Sequence, residues 1–445
     1  MNCTQSLKTD LYELTMAAGY FHHLPRLNAT FELYCHTMPA RRSYLIACGL
    51  EQALEYILNL KFSKADIDYL KSLDVFKRVD PAFFRYLKNF KFSGDVWAMD
   101  EGQICFANEP VLQVEAPIIE AQILETYLLS IFNIQMLVAT KAARIVEAAC
   151  HDGRNRPVVD FGSRRAHGPQ AGILAARAAY IAGCVGTSNI EAGRQYGIPT
   201  FGTMAHSWIQ AFDKEEEAFM KYQQVFPAHA ILLIDTYDTI EGLKKAIHSK
   251  QDFRAVRLDS GNINSLSKRV RKILDKNGLR NVKIIASGDL NEYKIHNLIR
   301  LKAPIDIFGV GTQMVVSRDY PALDLTYKLV QTMDEQGRLR FRSKKSQGKQ
   351  TVPGRKQIFR RYDPKGKIKE DHVGLFYEKT SRGFEPLLKP VIKKGKLVKS
   401  VLNLERVRKN VRMRVDSLPN ELTSLDKNSN YPVRHTSLLE KLKDS

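Results

Sequence analysis

The sequence predicts an α/β fold centred on a parallel sheet of about seven strands curled into a βα barrel. Three observations predict it. From residue 157 onward, short apolar or β-branched runs alternate with helical stretches at a spacing of about 16 to 30 residues, the pattern of repeated βα units. Each run is followed by small, polar or ionisable residues, and in a βα barrel the loops after the strands converge on one face, where substrates bind. At 445 residues, 44% hydrophobic and 26% charged, the chain can bury a large core and is too long for a module stapled by disulfides or zinc.

Taken in order, Asp10-Leu-Tyr-Glu13 has the spacing of a capping box and leads into a helix through Tyr20, and the stretch from Thr30 to Tyr34 is strand-like. Apolar periodicity predicts helices over 50–60 and 122–150, so residues 1–150 form an N-terminal α/β domain. The barrel occupies 151–330, with strands at 158–161, 184–187, 200–203, 230–234, 255–258, 283–286 and 305–308. Residues 331–445 are turn-rich and basic, and a strand-like piece at 323–330 leads into them. The tail from about 415 is expected to be weakly ordered. Within this segment Gly348-Lys-Gln-Thr351 lacks the Gly-Lys-Ser/Thr and the preceding strand of a P-loop and reads, with Ser343 to Lys349, as a basic turn.

The net charge of +20 is uneven. Residues 1–330 carry 39 Lys+Arg against 35 Asp+Glu, and residues 331–445 carry 29 against 13. Such a field attracts nucleic acid, an anionic surface or a phosphorylated substrate, or is simply a solvated face. The six cysteines are scattered without a C-x-x-C pair, which excludes zinc ribbons and disulfide scaffolds and fits a cytoplasmic protein. The most apolar stretch, 128–140, is interrupted by Ser130, Asn133 and Gln135, and no export signal opens the chain, so no membrane partner is expected.

The loops carry the chemistry. Ser287-Gly-Asp289 and Gly309-Val-Gly-Thr312 are strand ends whose backbone N–H groups could approach a phosphate, and phosphates sit after the last strands of βα barrels. Asp235, Asp238, Asp259 and Asp289 end three strands and suit a ribose diol or Mg²⁺ held through water, although a lone aspartate there is ordinarily a helix cap. Arg257 stands two residues before Asp259, so in extended chain both point into one space, and the guanidinium suits capture of a carboxylate ligand. His206, at a helix start after Gly202-Thr203, is in reach of a ligand at the barrel mouth and can serve as base or phosphoryl acceptor near neutral pH. His167, His229, His248 and His296 read as structural hydrogen-bonders.

In order along the chain, Thr9-Asp-Leu-Tyr-Glu-Leu-Thr15, Arg41-Arg-Ser-Tyr-Leu-Ile-Ala-Cys-Gly-Leu-Glu51, Asp160-Phe-Gly-Ser-Arg-Arg165, Gly186-Thr-Ser-Asn189, Gly202-Thr-Met-Ala-His206, Ile234-Asp-Thr-Tyr-Asp238, Arg257-Leu-Asp-Ser-Gly261 and Gly309-Val-Gly-Thr312 resemble the nicotinate phosphoribosyltransferase family, related to nicotinamide phosphoribosyltransferase. The resemblance implies an enzyme joining nicotinate to 5-phosphoribosyl 1-diphosphate to give nicotinate mononucleotide and diphosphate. It implies that ATP hydrolysis is coupled to turnover, which places the enzyme among ligases, in the first step of NAD salvage from nicotinate. It also implies Mg²⁺, an irregular TIM-like barrel of the type II phosphoribosyltransferases, an N-terminal domain completed by 331–445, and a homodimer with shared active sites.

Residue by residue, His206 resembles the transiently phosphorylated histidine, and Tyr12, from the neighbouring subunit, and Phe161 resemble the aromatic pair around the pyridine ring. Thr203 and Arg257 resemble the groups that hold the nicotinate carboxylate. Asp259, Ser260, Gly288, Gly309, Gly311 and Thr312 resemble those around the phosphoribosyl moiety, with Arg41, Arg42 and Arg164 for the diphosphate. Asp235 would orient His206 or share Mg²⁺ with Asp259. In the nicotinamide-using relatives an acid follows the Gly-Thr pair, whereas here that place is Ser188, which favours nicotinate over nicotinamide or another pyridine base. The sequence departs from the family's Ala-His-Glu at Ser207. A distant alternative is a nucleic-acid-binding protein acting through the basic C-terminal segment, but that segment lacks the interleaved aromatics of such surfaces.

Overall fold

The computed structural model describes residues 5–249, 252–344, 350–379, 382–398, 400, 402–425 and 429–443. Positions 345–349 of the basic turn and Cys3 lie outside the described residues. The chain divides into two compact units, one made of 1–137 with 322–445 and the other of 138–321.

The first unit is built from both ends of the chain. The strand Asn28–Cys35 pairs antiparallel with Pro110–Pro117 on one side and Leu325–Met333 on the other, so its sheet needs the late chain. Asp95–Ala98 and Lys389–Lys393 extend the sheet beyond Pro110–Pro117, and the Phe31 ring stacks on Tyr327 at 4.9 Å. The helix Leu11–His23 forms without the expected capping box. Asp10 Oδ2 instead accepts from the Thr126 hydroxyl at 3.0 Å and Glu13 Oε1 from the Thr126 amide at 2.9 Å.

The tail from about 415 was expected to be weakly ordered, but its described residues form helices and a strand. The helix Leu404–Asp416 buries Val407, Val411 and Val415, Val433–His435 adds a parallel strand to Ile368–Leu375, and Leu422 and Leu439 are buried. A stripe of three valines spaced four residues apart inside a basic helix is invisible to composition and gives the helix one buried face. Part of the basicity is internal: Lys356 and Arg360 are buried on Glu32 and Asp371 at 2.6 Å each. The stretch Ile118–Ala149 is long and apolar enough to cross a membrane by composition, but it is mostly buried in the protein, with Leu128 and Met136 fully enclosed.

The second unit holds a parallel sheet in the order Gly186–Thr187, Val158–Asp160, Ile307–Val310, Lys283–Ala286, Ala255–Leu258, Ile231–Leu233. These strands are nearly continuous apolar runs, as befits a parallel sheet covered on both faces. Leu232, Val256, Leu258 and Ile284 pack with Leu243, Val270 and Leu274 from the helices between them. The strand expected at 200–203 is reduced to one bridge from Thr200 to Thr187. Pro199 has no N–H to donate, and the chain there crosses Gly186 so closely that a β-carbon on the glycine would lie 2.3 Å from the Pro199 carbonyl oxygen. Among the described residues no ladder joins Thr200 to Ile231–Leu233, so the hydrogen-bonded sheet is open.

Candidate active site

The loops after these strands surround a cavity of about 540 Å³. Asp160, at the end of its strand and 2% exposed, joins the first two loops: Oδ1 accepts from the Gly162 amide at 2.8 Å and Oδ2 from the Thr187 hydroxyl at 2.7 Å. Burial raises this carboxyl above the usual range although both bonds pull it down. Phe161 and Ser188 thereby reach the same rim. The Phe161 ring rests on Gly309, where a β-carbon would come within 2.4 Å of it, and the Phe161 carbonyl lies 3.0 Å from a β-carbon placed on Gly311. The two glycines read as room for a phosphate are thus also the seat of an aromatic ring.

Arg257 crosses the floor of the cavity with 12% of its side chain exposed. Its Nη1 donates to the Thr203 hydroxyl and, at 3.2 Å, to the Met204 carbonyl, and Nη2 lies 3.5 Å from Asp259 Oδ1. Nε is buried without a hydrogen-bond partner among the described residues. Burial pulls the guanidinium pKa down, while the charges of Asp259 and Asp235 oppose the shift. The structure therefore brings Thr203 and Arg257 together at the cavity wall.

Asp235 holds the turn that carries Asp259. Its Oδ2 accepts from the amides of Asp259 and Ser260 and from the Ser260 hydroxyl, each at 2.8 Å, while Oδ1 is buried without a partner among the described residues. The expectation that Asp235 orients His206 needs correction, because Nδ1 of the histidine faces the Thr236 hydroxyl at 3.1 Å and Nε2 lies 3.9 Å from Asp259 Oδ2. Asp238 is a helix cap, accepting from the amides of Ile240 and Glu241 at 2.9 Å.

At the other end, Ser287 donates to Asp259 Oδ1 at 2.6 Å, and Gly288 packs so that a β-carbon would lie 1.8 Å from the Asp259 carbonyl oxygen. Asp289 accepts from Gln313 Nε2 at 2.7 Å and Lys294 Nζ at 2.9 Å, which hold its carboxyl below the usual range, and Arg318 Nη1 stands 3.5 Å away.

Phe161, Arg164, Ser188, Thr203 and Arg257 line the cavity, as do Asp259, Gly288, Gly309, Gly311 and Thr312. His206, Asp235 and Ser260 touch the lining without belonging to it. Tyr12, Arg41 and Arg42 belong to the first unit, where Tyr12 and Arg41 are exposed and Arg42 is buried. Ser287, Asp289, Arg165 and Arg318 also line the cavity; sequence reasoning read Ser287 as part of a phosphate loop and Asp289 as a candidate for ribose or Mg²⁺, and missed Arg165 and Arg318 as site residues. The first three stand inside motifs already singled out, and for Arg318 the only available signal was its closeness to Gly309-Val-Gly-Thr312. Among the described residues no three His, Cys, Asp or Glu side chains converge as a metal site.

Three family models match the chain: the nicotinate phosphoribosyltransferase N-terminal domain over 7–133, the nicotinate phosphoribosyltransferase family over 157–356, and the C-terminal domain over 376–443. A nicotinate phosphoribosyltransferase of Mycobacterium tuberculosis is 46% identical over 436 residues, 96% of this chain and 91% of that one. That of Bacillus subtilis is 39% identical over 387 residues, 84% of this chain and 77% of its own. The crystal structure of human nicotinic acid phosphoribosyltransferase matches with a TM-score of 0.84 at 25% identity, covering 98% of this chain and 99% of the human one. The chain belongs to the nicotinate phosphoribosyltransferase family.

Proposed function

We infer that this enzyme transfers the phosphoribosyl group of 5-phosphoribosyl 1-diphosphate to nicotinate, in NAD salvage. The observation that carries the reading is one cavity lined both by the Arg257–Thr203 receptor and by the glycine loops at Gly288 and Gly309–Thr312. A cationic receptor for a carboxylate thus faces loops suited to phosphate and ribose across a space the size of a small ligand site.

In the reaction the C1′–O bond to diphosphate breaks, the pyridine nitrogen lone pair forms the C1′–N bond, and diphosphate leaves. Positive charge develops at the sugar, so catalysis lies in holding the nitrogen in line with C1′ and stabilising the leaving group. Arg257 takes the carboxylate with the N–H groups that Thr203, Met204 and Asp259 leave free, and Phe161 backs the ring. Ser188 adds no negative charge that would repel it. Arg164 and the adjacent Arg165, exposed on the turn Ser163–Arg165, face the diphosphate. Asp259, Ser260, Gly288 and Thr312 hold ribose and phosphate. Asp235, with its unpartnered buried Oδ1, and Asp259 are the carboxylates that would hold Mg²⁺, a cation usually bound by one or two carboxylates plus substrate phosphates. When bound, the ion neutralises charge on the departing diphosphate.

ATP is read as a second substrate, its γ-phosphoryl passing to His206 with ADP leaving and water later releasing phosphate. Nδ1 is engaged by Thr236, so Nε2 is the acceptor, and a phosphoryl there would stand against Asp259 and change the charge beside the substrate. The rest of the assignment is an irregular barrel whose open side is bridged by packing of Met204 and Ile209 with Leu232, a homodimer in which Tyr12 serves the neighbour's site with Arg41 and Arg42 nearby, and a cytoplasmic location. The test is His206→Ala with ATP present: the variant should form product at a rate independent of ATP and take no label from γ-labelled ATP. Full ATP stimulation in the variant would remove the phosphohistidine role.

A further inference from the structure

We propose that Lys141 is a positioning residue for the phosphate end of the cavity, one buried ammonium that ties together the loop after Lys283–Ala286 and the loop after Ile307–Val310. The proposal rests on the reading of those loops as the phosphoribosyl site. Lys141 sits in the apolar helix Glu125–Ala149 with 1% of its side chain exposed, and a lysine so enclosed keeps its charge only when paired. Nζ meets two carboxylates, Glu292 at 2.7 Å and 3.0 Å to its two oxygens and Asp319 at 2.7 Å.

Each carboxylate belongs to a different loop. Glu292 opens the helix Glu292–Arg300, three residues after Asp289, and Asp319 directly follows Arg318. Asp289 and Arg318 both line the cavity and stand 3.5 Å apart. The two loops are therefore joined at the cavity wall, where Gln313 and Arg318 both reach Asp289, and again outside the lining through Lys141. Arg144, on the same helix, strengthens one side of the clamp, with Nε 3.3 Å from Glu292 and Nη2 donating to the Tyr293 hydroxyl at 3.3 Å.

Both loops hold backbone that needs such support. Asp289 has φ +45° and Ser317 has φ +43°, left-handed conformations that cost a non-glycine residue about 1 kcal/mol and persist only where the surroundings enforce them. Without the amine, Glu292 keeps Arg144 but loses its bridge to Asp319, two carboxylates are left close together, and a shift of about 1 Å at a substrate contact can cost on the order of a hundredfold in rate.

The test measures KM for phosphoribosyl diphosphate, KM for nicotinate, kcat and melting temperature in Lys141→Met, Lys141→Arg, Thr312→Ala and Arg156→Met. Arg156 is the reference for a merely structural buried cation, 8% exposed and bonded to Asp152 and the Ile305 carbonyl. Lys141→Met should raise KM for phosphoribosyl diphosphate about tenfold with KM for nicotinate within about twofold. Lys141→Arg should recover most of that loss, and Arg156→Met should lower the melting temperature without the split. If Thr312→Ala raises that KM and Lys141→Met only melts earlier, Lys141 is structural and the proposal is overturned. If neither variant moves it, the reading of the loops fails and the proposal falls with it. Should Lys141→Met not fold, Asp319→Asn cuts the clamp at its more exposed end: the same KM rise supports the proposal and a wild-type KM overturns it.

Discussion

Replacing Gly288 by alanine isolates the geometry of the cavity from the stability of the fold. Gly288 has φ +88°, and a β-carbon there would lie 1.8 Å from the Asp259 carbonyl oxygen, where contacts under 3.0 Å are essentially never found. One of the two loops must therefore retreat by about 1.2 Å, and both line the cavity. A misplacement of about 1 Å is enough to cost roughly a hundredfold in rate, equivalent to about 2.7 kcal/mol of transition-state stabilisation. The left-handed backbone adds about 1 kcal/mol of instability for any residue with a side chain. Gly278 is the matched control, with φ +78° and nothing within 4 Å of an added β-carbon. The assay is kcat/KM for nicotinate mononucleotide formation beside a thermal melt. Both variants should melt somewhat earlier, and only Gly288→Ala should lose about two orders of magnitude in kcat/KM. A folded Gly288→Ala enzyme with wild-type kcat/KM would refute the assignment of these loops to the substrate.

Two further outcomes follow from the same geometry. Arg257→Gln removes a charge-assisted contact worth about 1.5–3 kcal/mol, so KM for nicotinate should rise roughly ten- to a hundredfold while any activity with nicotinamide changes much less; equal losses on both bases would contradict the carboxylate role. Asp152 is bound by both terminal nitrogens of Arg156 at 2.6 Å and 2.9 Å, and this hydrogen bonding brings its carboxyl down to about 2 from an ordinary 3.8. A depressed carboxyl adds stability above its unfolded pKa that disappears as pH falls through the folded one. Asp152→Asn should therefore melt below wild type near neutral pH, with the gap closing between about pH 4 and pH 2, and a gap constant with pH would contradict the pairing.

Much of the second unit was legible because its strands are enclosed on both faces and read as unbroken apolar runs; at 255–258 and 283–286 the expected and observed bounds coincide. The run at 200–203 had the same look and failed as a strand, since Pro199 and the close passage over Gly186 leave only one bridge. In the site, Arg257 and Asp259 were singled out from their spacing at one strand end and Phe161 and Thr203 through the family resemblance, and all four line the cavity. The aspartates were not separable, because one after a strand can equally cap a helix, as Asp238 does, or hold a neighbouring turn, as Asp235 does. Lys141 was out of reach, its Asp319 partner being 178 positions away. The same distance problem hid the main sheet of the first unit, where Asn28–Cys35 pairs with Leu325–Met333, and the buried valine stripe of Leu404–Asp416 was masked by the charges around it.

The central claim is tested most directly by product formation from nicotinate and, separately, nicotinamide, each with phosphoribosyl diphosphate and Mg²⁺, with and without ATP, reading mononucleotide, diphosphate and ADP by chromatography. The account predicts nicotinate mononucleotide with an equal amount of diphosphate, ADP release when ATP is supplied, and little product from nicotinamide. Preference for nicotinamide, or no product from either base in folded protein, would contradict it.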